Sequence, residues 1–302
     1  MKLSLLLRSC CALGCLVLIL IPITIYYLIN KESDPHSPSQ VSSTSIVDPS
    51  ESQEKAVRAT VIMASDMESD FPSLENFVKT INEDSVDAVF ILGDITTLGV
   101  KEDFVKSKSI LNKSKVKVYY LPGDRDLWKS GGSIKNFKEI LGDNYQLVDV
   151  NGVKFLMIDN ANEYEGIDST QFSFIESNLG SADYVLMHNP VYFNDSLLGL
   201  MGKGMGQYSV EVNDQRNKLL GMIRTAPLVK ATFAGDQHVF SVTDDSEEES
   251  LSHVILGSLS SIRNLDVSNY IKVKIYEDKT FSVEKLTLPF EVKATEANVE
   301  AE

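Results

Sequence analysis

Five short stretches, far apart along the chain, each set acidic or imidazole side chains directly behind an apolar run: SDMES (65–69), ILGDIT (91–96), LPGDRDLW (121–128), LMHNPVY (186–192) and FAGDQHV (233–239). The groups they deliver are Asp66, Glu68, Asp94, Asp124, His188, Asp236 and His238. Carboxylate and imidazole are the donors that surround hydrolytic metal ions. Gly-Asp pairs are also ordinary turn chemistry, because Asp tolerates tight bends and caps helices. Five turns sharing one donor chemistry favour the metal reading. The third adds Arg125 and Asp126, three charges in a row where an apolar run has just ended.

Something must carry these turns to one place. From Arg58 to Leu288, short β-rich runs alternate with segments of helical period. The strands predicted are RATVIMAS, VDAVFIL, VKVYYLP, YQLVDV, KFLMID, DYVLM, VKATFAG, HVFSVT, SHVIL, YIKVKIY and FSVEKLTL. Helices are predicted over SLENFVKTIN, KEDFVKSKSILNK, SIKNFKEIL, STQFSFIESNL and NDQRNKLLGMIR. The early strands are almost wholly apolar, as in a sheet covered on both faces, whereas the later ones alternate like hairpins. The expected fold class is α/β with a mixed or doubled sheet. In such sheets ligands bind outside the carboxyl ends of the strands, which is where the five turns fall.

The 302 residues, 43% of them hydrophobic, suffice for a large core. A net charge of −15 argues against nucleic acid as a partner, since phosphate backbones are held by Lys and Arg clusters. The three cysteines all lie at or before residue 15, inside an uncharged apolar segment, Cys10 to Ile29. That length spans a bilayer core, so a transmembrane anchor is expected over 10–30. Lys2 and Arg8 precede it, which leaves residues 1–9 cytoplasmic and the rest on the extracytoplasmic side, a single-pass cell-membrane protein. Residues 31–56, rich in Ser, Pro and charge, read as a disordered linker, residues 57–290 as the folded domain, and 291–302 as an acidic tail.

The order of the five turns resembles that of the calcineurin-like metallophosphoesterases, whose blocks run DxH, GD, GNH followed by an acid, a lone His, and GHxH. The resemblance covers about residues 58–288. It implies a sandwich of two mixed β-sheets flanked by helices, holding two metal ions that share a bridging hydroxide, and phosphoester hydrolysis as the activity. Carried over by position, one metal would be held by Asp66, Glu68, Asp94 and His238, the other by Asp94, Asp124, His188 and Asp236. Three positions depart from the family: Glu68 stands for His, Asp124 for Asn, and Asp236 for His. Each substitute still offers a donor, which favours a working hydrolase over an inactive, membrane-tethered binding or scaffolding module. The shift from nitrogen to oxygen donors suits Mn²⁺ or Mg²⁺, and also Ca²⁺, better than Zn²⁺.

Arg125 stands where most of the family has the His thought to protonate the leaving oxygen. Arg does not release its proton, so its expected role is to clamp a phosphate oxygen, with Asp126 orienting it through a paired hydrogen bond. The UDP-diacylglucosamine pyrophosphatases of the same family also carry Arg there. Anchoring would make a lipid- or envelope-linked phosphoester an attractive substrate. Among other residues, Asp159 and Asn160 end a strand at the same rim, His253 reads as a strand position without a role, 197–208 as a Met-rich loop or lid, and DDSEEES (244–250) as a solvated hairpin loop.

Overall fold

The computed structural model describes residues 55–193, 200–202, 209–264 and 266–289. The chain divides into two units, residues 1–53 and 54–302, and the described residues all belong to the second. The expected anchor and the acidic tail therefore lie outside the described residues, as does the linker apart from Lys55 and Ala56. Among the described residues no helix is long and apolar enough to cross a membrane.

Among the described residues eleven strands form two sheets. The first contains β1 (Val57–Ala64), β2 (Ala88–Leu92), β3 (Val118–Leu121), β10 (Asn269–Tyr276) and β11 (Phe281–Thr287), in the order β11-β10-β1-β2-β3. The second contains β4 (Gln146–Val150), β5 (Val153–Met157), β6 (Tyr184–Leu186), β7 (Ala231–Ala234), β8 (Ser241–Asp244) and β9 (Ser252–Ile255), in the order β4-β5-β6-β7-β9-β8. Both are mixed: β1, β2 and β3 run parallel, as do β5, β6, β7 and β9, while the hairpins β10–β11, β4–β5 and β8–β9 are antiparallel.

Alternation along each strand sends successive side chains to opposite faces. Val61, Met63, Phe90 and Leu92 meet Phe155, Tyr184 and Phe233 between the sheets. Ile62, Ala64, Val89 and Ile91 point outward, beneath the helices α1 (Phe71–Ile81), α2 (Lys101–Leu111) and α3 (Lys135–Ile140). On the far side Leu156, Ile158, Val185 and Met187 pack under α4 (Ser169–Asn178) and α5 (Val210–Thr225). Burying each such side chain contributes about 1.5–3 kcal/mol, and the four layers pin the strand ends in place. Helix starts are capped locally: Asp70, Asp168 and Ser209 accept from the backbone N–H three residues on.

Three local expectations need correction. The strand predicted from His238 begins only at Ser241, because His238 is held back in the loop by a hydrogen bond to the Arg263 carbonyl. DDSEEES is not uniformly solvated: Asp245 is buried, accepting from Arg224 Nε (3.0 Å) and pairing with His253 Nε2 (2.9 Å). His253, given no role, thereby ties β9 to this turn. Lys55, read as tether, bonds Asp278 at 2.7 Å in the β10–β11 turn.

Candidate metal centre

Parallel strands bring their carboxyl ends to one edge, and the offsets are regular. Asp66, Asp94, His188 and Asp236 each stand two residues beyond the end of β1, β2, β6 and β7, and Asp124 three beyond β3. The loops are stitched to each other by backbone: Asp66 N–H donates to the Gly93 carbonyl (3.1 Å), Met67 and Glu68 N–H to that of Asp94 (both 2.9 Å), and Gly235 N–H to that of His188 (2.9 Å). Side chains of neighbouring loops thus emerge toward a common point. The fit demands unusual backbone: Asp66, Glu68, Asp94, Asp236 and His238 all have φ between 47° and 69°. This left-handed region costs a non-glycine residue on the order of 1 kcal/mol.

All seven predicted donors join one connected cluster. Asp66, Asp94 and His188 offer donor atoms within 4.8 Å of one another, and so do Asp124, His188 and Asp236. His188 Nε2 is 3.5 Å from Asp94 Oδ1 and 3.3 Å from Asp124 Oδ1. On the other flank His238 Nε2 is 3.3 Å from Asp66 Oδ1 and 3.6 Å from Glu68 Oε1. Each imidazole has its Nδ1 against a backbone carbonyl, Leu92 for His188 (2.7 Å) and Arg263 for His238. A carbonyl only accepts, so Nδ1 carries a proton and Nε2 is the ring nitrogen turned to the cluster, free to give up its own proton and ligate an ion, the arrangement that orients metal-binding imidazoles.

The decisive feature is what lacks a hydrogen bond. Asp66 Oδ1 and both carboxylate oxygens of Glu68 are buried without a hydrogen bond. Arg263 Nε stands 3.1 Å from Glu68 Oε2, yet no hydrogen bond forms between them. Buried charge of this kind is sustained only by a counter-charge, and a cation between these oxygens and the facing imidazole would supply it. The residues present therefore fit divalent ions.

The electrostatics agree. Burial, then the like charge of Asp124, pushes Asp94 well above the carboxylate range. Burial raises Asp236 to about 7 and also raises Glu68, despite Arg263 beside it. Burial opposes charge on the imidazoles, but the surrounding carboxylates win: Asp94 lifts His188 well above its usual value and Asp66 lifts His238 to about 9. Asp124 is lowered: burial raises it, but the hydrogen bond and charge of His188 and the charge of Arg125 together more than offset the burial.

Arg125 and Asp126 part company. Asp126 is buried and does not orient Arg125: its carboxylate accepts from the N–H groups of Ile95 (3.1 Å), Thr96 (2.8 Å) and Gly123 (3.0 Å) and from Thr96 Oγ1 (2.8 Å). The one-turn 3₁₀ helix Arg125–Leu127 turns adjacent side chains about 120° apart, so one faces the loops and the other the site. Arg125 lies with Nε 4.0 Å from Asp94 Oδ2 and its guanidinium 4.2 Å from the centre of the Trp128 ring. Asn160 is a clamp that sequence left undecided: its Oδ1 accepts from the N–H groups of His188 (3.1 Å) and Asn189 (3.0 Å). Asp159 beside it turns to Asn144. Sequence reasoning missed Arg263 and the GSLSS run, where Ser258 Oγ (2.9 Å) and Ser260 N–H (3.1 Å) hold the Asp66 carbonyl. Only their placement after an apolar strand, the signal used for the five turns, could have found them.

A family model described as calcineurin-like phosphoesterase matches residues 33–240. No curated protein matches the sequence. Among solved structures, the fold is similar to a dimetal phosphatase from Danio rerio, at 14% identity and a TM-score of 0.57, covering 78% of this chain and 100% of the other. It is also similar to a purple acid phosphatase from yellow lupin (Lupinus luteus) seeds, at 13% identity and a TM-score of 0.55, covering 76% of this chain and 51% of the other.

Proposed function

Since the chain belongs to the calcineurin-like phosphoesterase family, we propose that it is a metal-dependent hydrolase cleaving a phosphomonoester, phosphodiester or pyrophosphate bond at an acid-rich dinuclear centre. The observation that carries this reading is the set of buried oxygens on Asp66 and Glu68 that make no hydrogen bond, faced by an imidazole Nε2. In this proposal Asp66, Glu68, Asp94 and His238 hold one ion, and Asp94, Asp124, His188 and Asp236 the other. Five carboxylates and two imidazoles suit Mn²⁺ or Mg²⁺, with Ca²⁺ a further fit, over Zn²⁺. Such ions supply Lewis-acid charge to a phosphoryl group and lower the pKa of water.

The chain's own residues do the rest. Five carboxylates against two divalent ions leave one negative charge, and Arg263 and Arg125 lie close enough to offset it. Arg125, braced on Trp128, is the anion clamp: it binds a non-bridging phosphate oxygen and stabilises charge that grows on it. Since arginine releases no proton, the leaving group must depart as a stable anion without help from this position. Asp126 holds the Asp94 and Asp124 loops in register. We place the domain outside a membrane anchored by residues 10–30, on the strength of that segment's apolar length and the basic residues before it.

Full-length protein in detergent, stripped with EDTA and reloaded, tests this. Calorimetry should show Mn²⁺ or Mg²⁺ binding, and the loaded protein should hydrolyse an aryl phosphodiester. Binding without hydrolysis of any phosphoester would make the domain a metal-stabilised binding module; no binding at all refutes the proposed centre.

A further inference from the structure

Beside Asp124 lies a cavity of about 410 Å³. Trp128 and Tyr164 both line it, and both are strongly exposed for rings of their size, at 54% and 71%. One side of Trp128 is covered by the Arg125 guanidinium, which stiffens the ring as a platform. Gly131 and Gly132, with φ of +64° and +87°, form part of the wall, and an added side chain at Gly131 would meet nothing within 4 Å, so open space borders the backbone there. The charges in the lining are Asp124 and Glu163, and no lysine or arginine is among the lining residues. A second phosphate would be repelled, whereas an uncharged ring would not be, and one bearing N–H groups could donate to Glu163.

We infer that this cavity is the subsite for a planar aromatic group, aryl or nucleobase, attached to the phosphoryl group that the metal centre acts on. The inference rests on the phosphoester reading of the neighbouring site and adds a substrate class to it. Two exposed rings in one lining favour π-stacking, and Asp124 in the same wall puts a stacked ring next to the proposed metal centre.

The chain has one tryptophan, so its fluorescence reports this cavity directly. Full-length protein in detergent with Mg²⁺ is titrated with phenyl phosphate, adenosine 5′-monophosphate and ribose 5-phosphate. Saturable quenching by at least one of the aromatic esters, and none by ribose 5-phosphate, is expected; whichever aromatic ester binds tighter identifies aryl or nucleobase as the source. Tyr164→Ala, at an exposed position, should weaken that binding about 5- to 100-fold, the range set by loss of one stacking partner. The same Tyr164→Ala variant should lower kcat/KM for a phenyl ester by a similar factor and leave that for a methyl ester unchanged. Equal quenching by ribose 5-phosphate, or equal loss on phenyl and methyl esters, overturns the subsite. Hydrolysis without aromatic preference overturns this inference alone; ring-dependent quenching in a protein that cleaves no ester overturns the hydrolase reading and supports the subsite.

Discussion

Gly123→Ala should damage the metal centre without replacing a donor residue. A methyl group built on Gly123 would sit 2.2 Å from Asp94 Oδ1 and 2.3 Å from the Asp94 backbone nitrogen. The second contact is with backbone, so rotating a side chain cannot relieve it, and a displacement on the order of 1 Å is needed. Asp94 cannot move alone, because its carbonyl accepts from both Met67 and Glu68 N–H, and the shift passes to the loop bearing Asp66 and Glu68. Overpacking of this kind costs about 1–3 kcal/mol. At roughly 2–4 °C per kcal/mol for a domain of this size, the melting temperature should fall by about 2–12 °C. Gly180→Ala is the control: nothing lies within 4 Å of its added methyl and its φ is not positive, so a change within about 0.5 kcal/mol is expected. Scanning calorimetry of the full-length protein with EDTA and with Mn²⁺ provides the readout, followed by titration of Mn²⁺ into each variant. Affinity should drop at least about 10-fold in Gly123→Ala, as when a supporting contact of a metal ligand is lost. A variant that melts with wild type and binds Mn²⁺ unchanged would show that Asp94 does not need its place in this loop, and would remove the bridging role proposed for it.

Asn160→Ala, which frees the His188 backbone while leaving the imidazole in place, should weaken Mn²⁺ binding about 10- to 100-fold in calorimetric titration; unchanged affinity would make Asn160 a packing residue only. Arg125→Ala should reduce kcat/KM on phosphodiesters by more than Arg125→His, since His retains some positive charge at the clamp; equal rates in all three proteins would refute the clamp. Asp126→Asn replaces an acceptor of three N–H groups and a hydroxyl by a side chain with one acceptor atom and a donor, and a loss of about 2–4 kcal/mol by urea unfolding is expected. Burial raises Asp236 to about 7 and Asp126 to about 6, from 3.8 unfolded. The folded state holds the extra protons, so in EDTA the unfolding free energy should fall as pH rises from about 4 to about 7. Mn²⁺ should flatten that slope, because it binds the ionised form, and melting curves across pH with and without metal would show it.

The architecture was legible because period and composition report burial, and burial is local to each strand. All eleven predicted strands and all five helices are present, and the donors follow their strands at nearly constant offset. What escaped were the relations between neighbours in sequence that are not neighbours in space. Arg125 and Asp126 share a peptide bond and serve different loops, and Asp245 sits in an acidic run yet is buried because Arg224 and His253 reach it from elsewhere. Arg263 carries no motif; its importance arises because its carbonyl fixes His238 and its guanidinium approaches Glu68.

The left-handed backbone explains why such a site needs this much scaffold. Five of the seven donors occupy a conformation that each would avoid in a free chain, and the summed cost, on the order of several kcal/mol, rivals the net stability of a typical domain. No local propensity predicts Glu68 or His238 there. The loops are held instead by hydrogen bonds reaching across the chain, from Met67 and Glu68 to Asp94, from Ser258 and Ser260 to Asp66, and from Gly235 to His188. Turning the backbone this way aims carboxylates inward that ordinary turns would leave in solvent, so the strain and the buried oxygens without hydrogen bonds have one origin in the same left-handed turns.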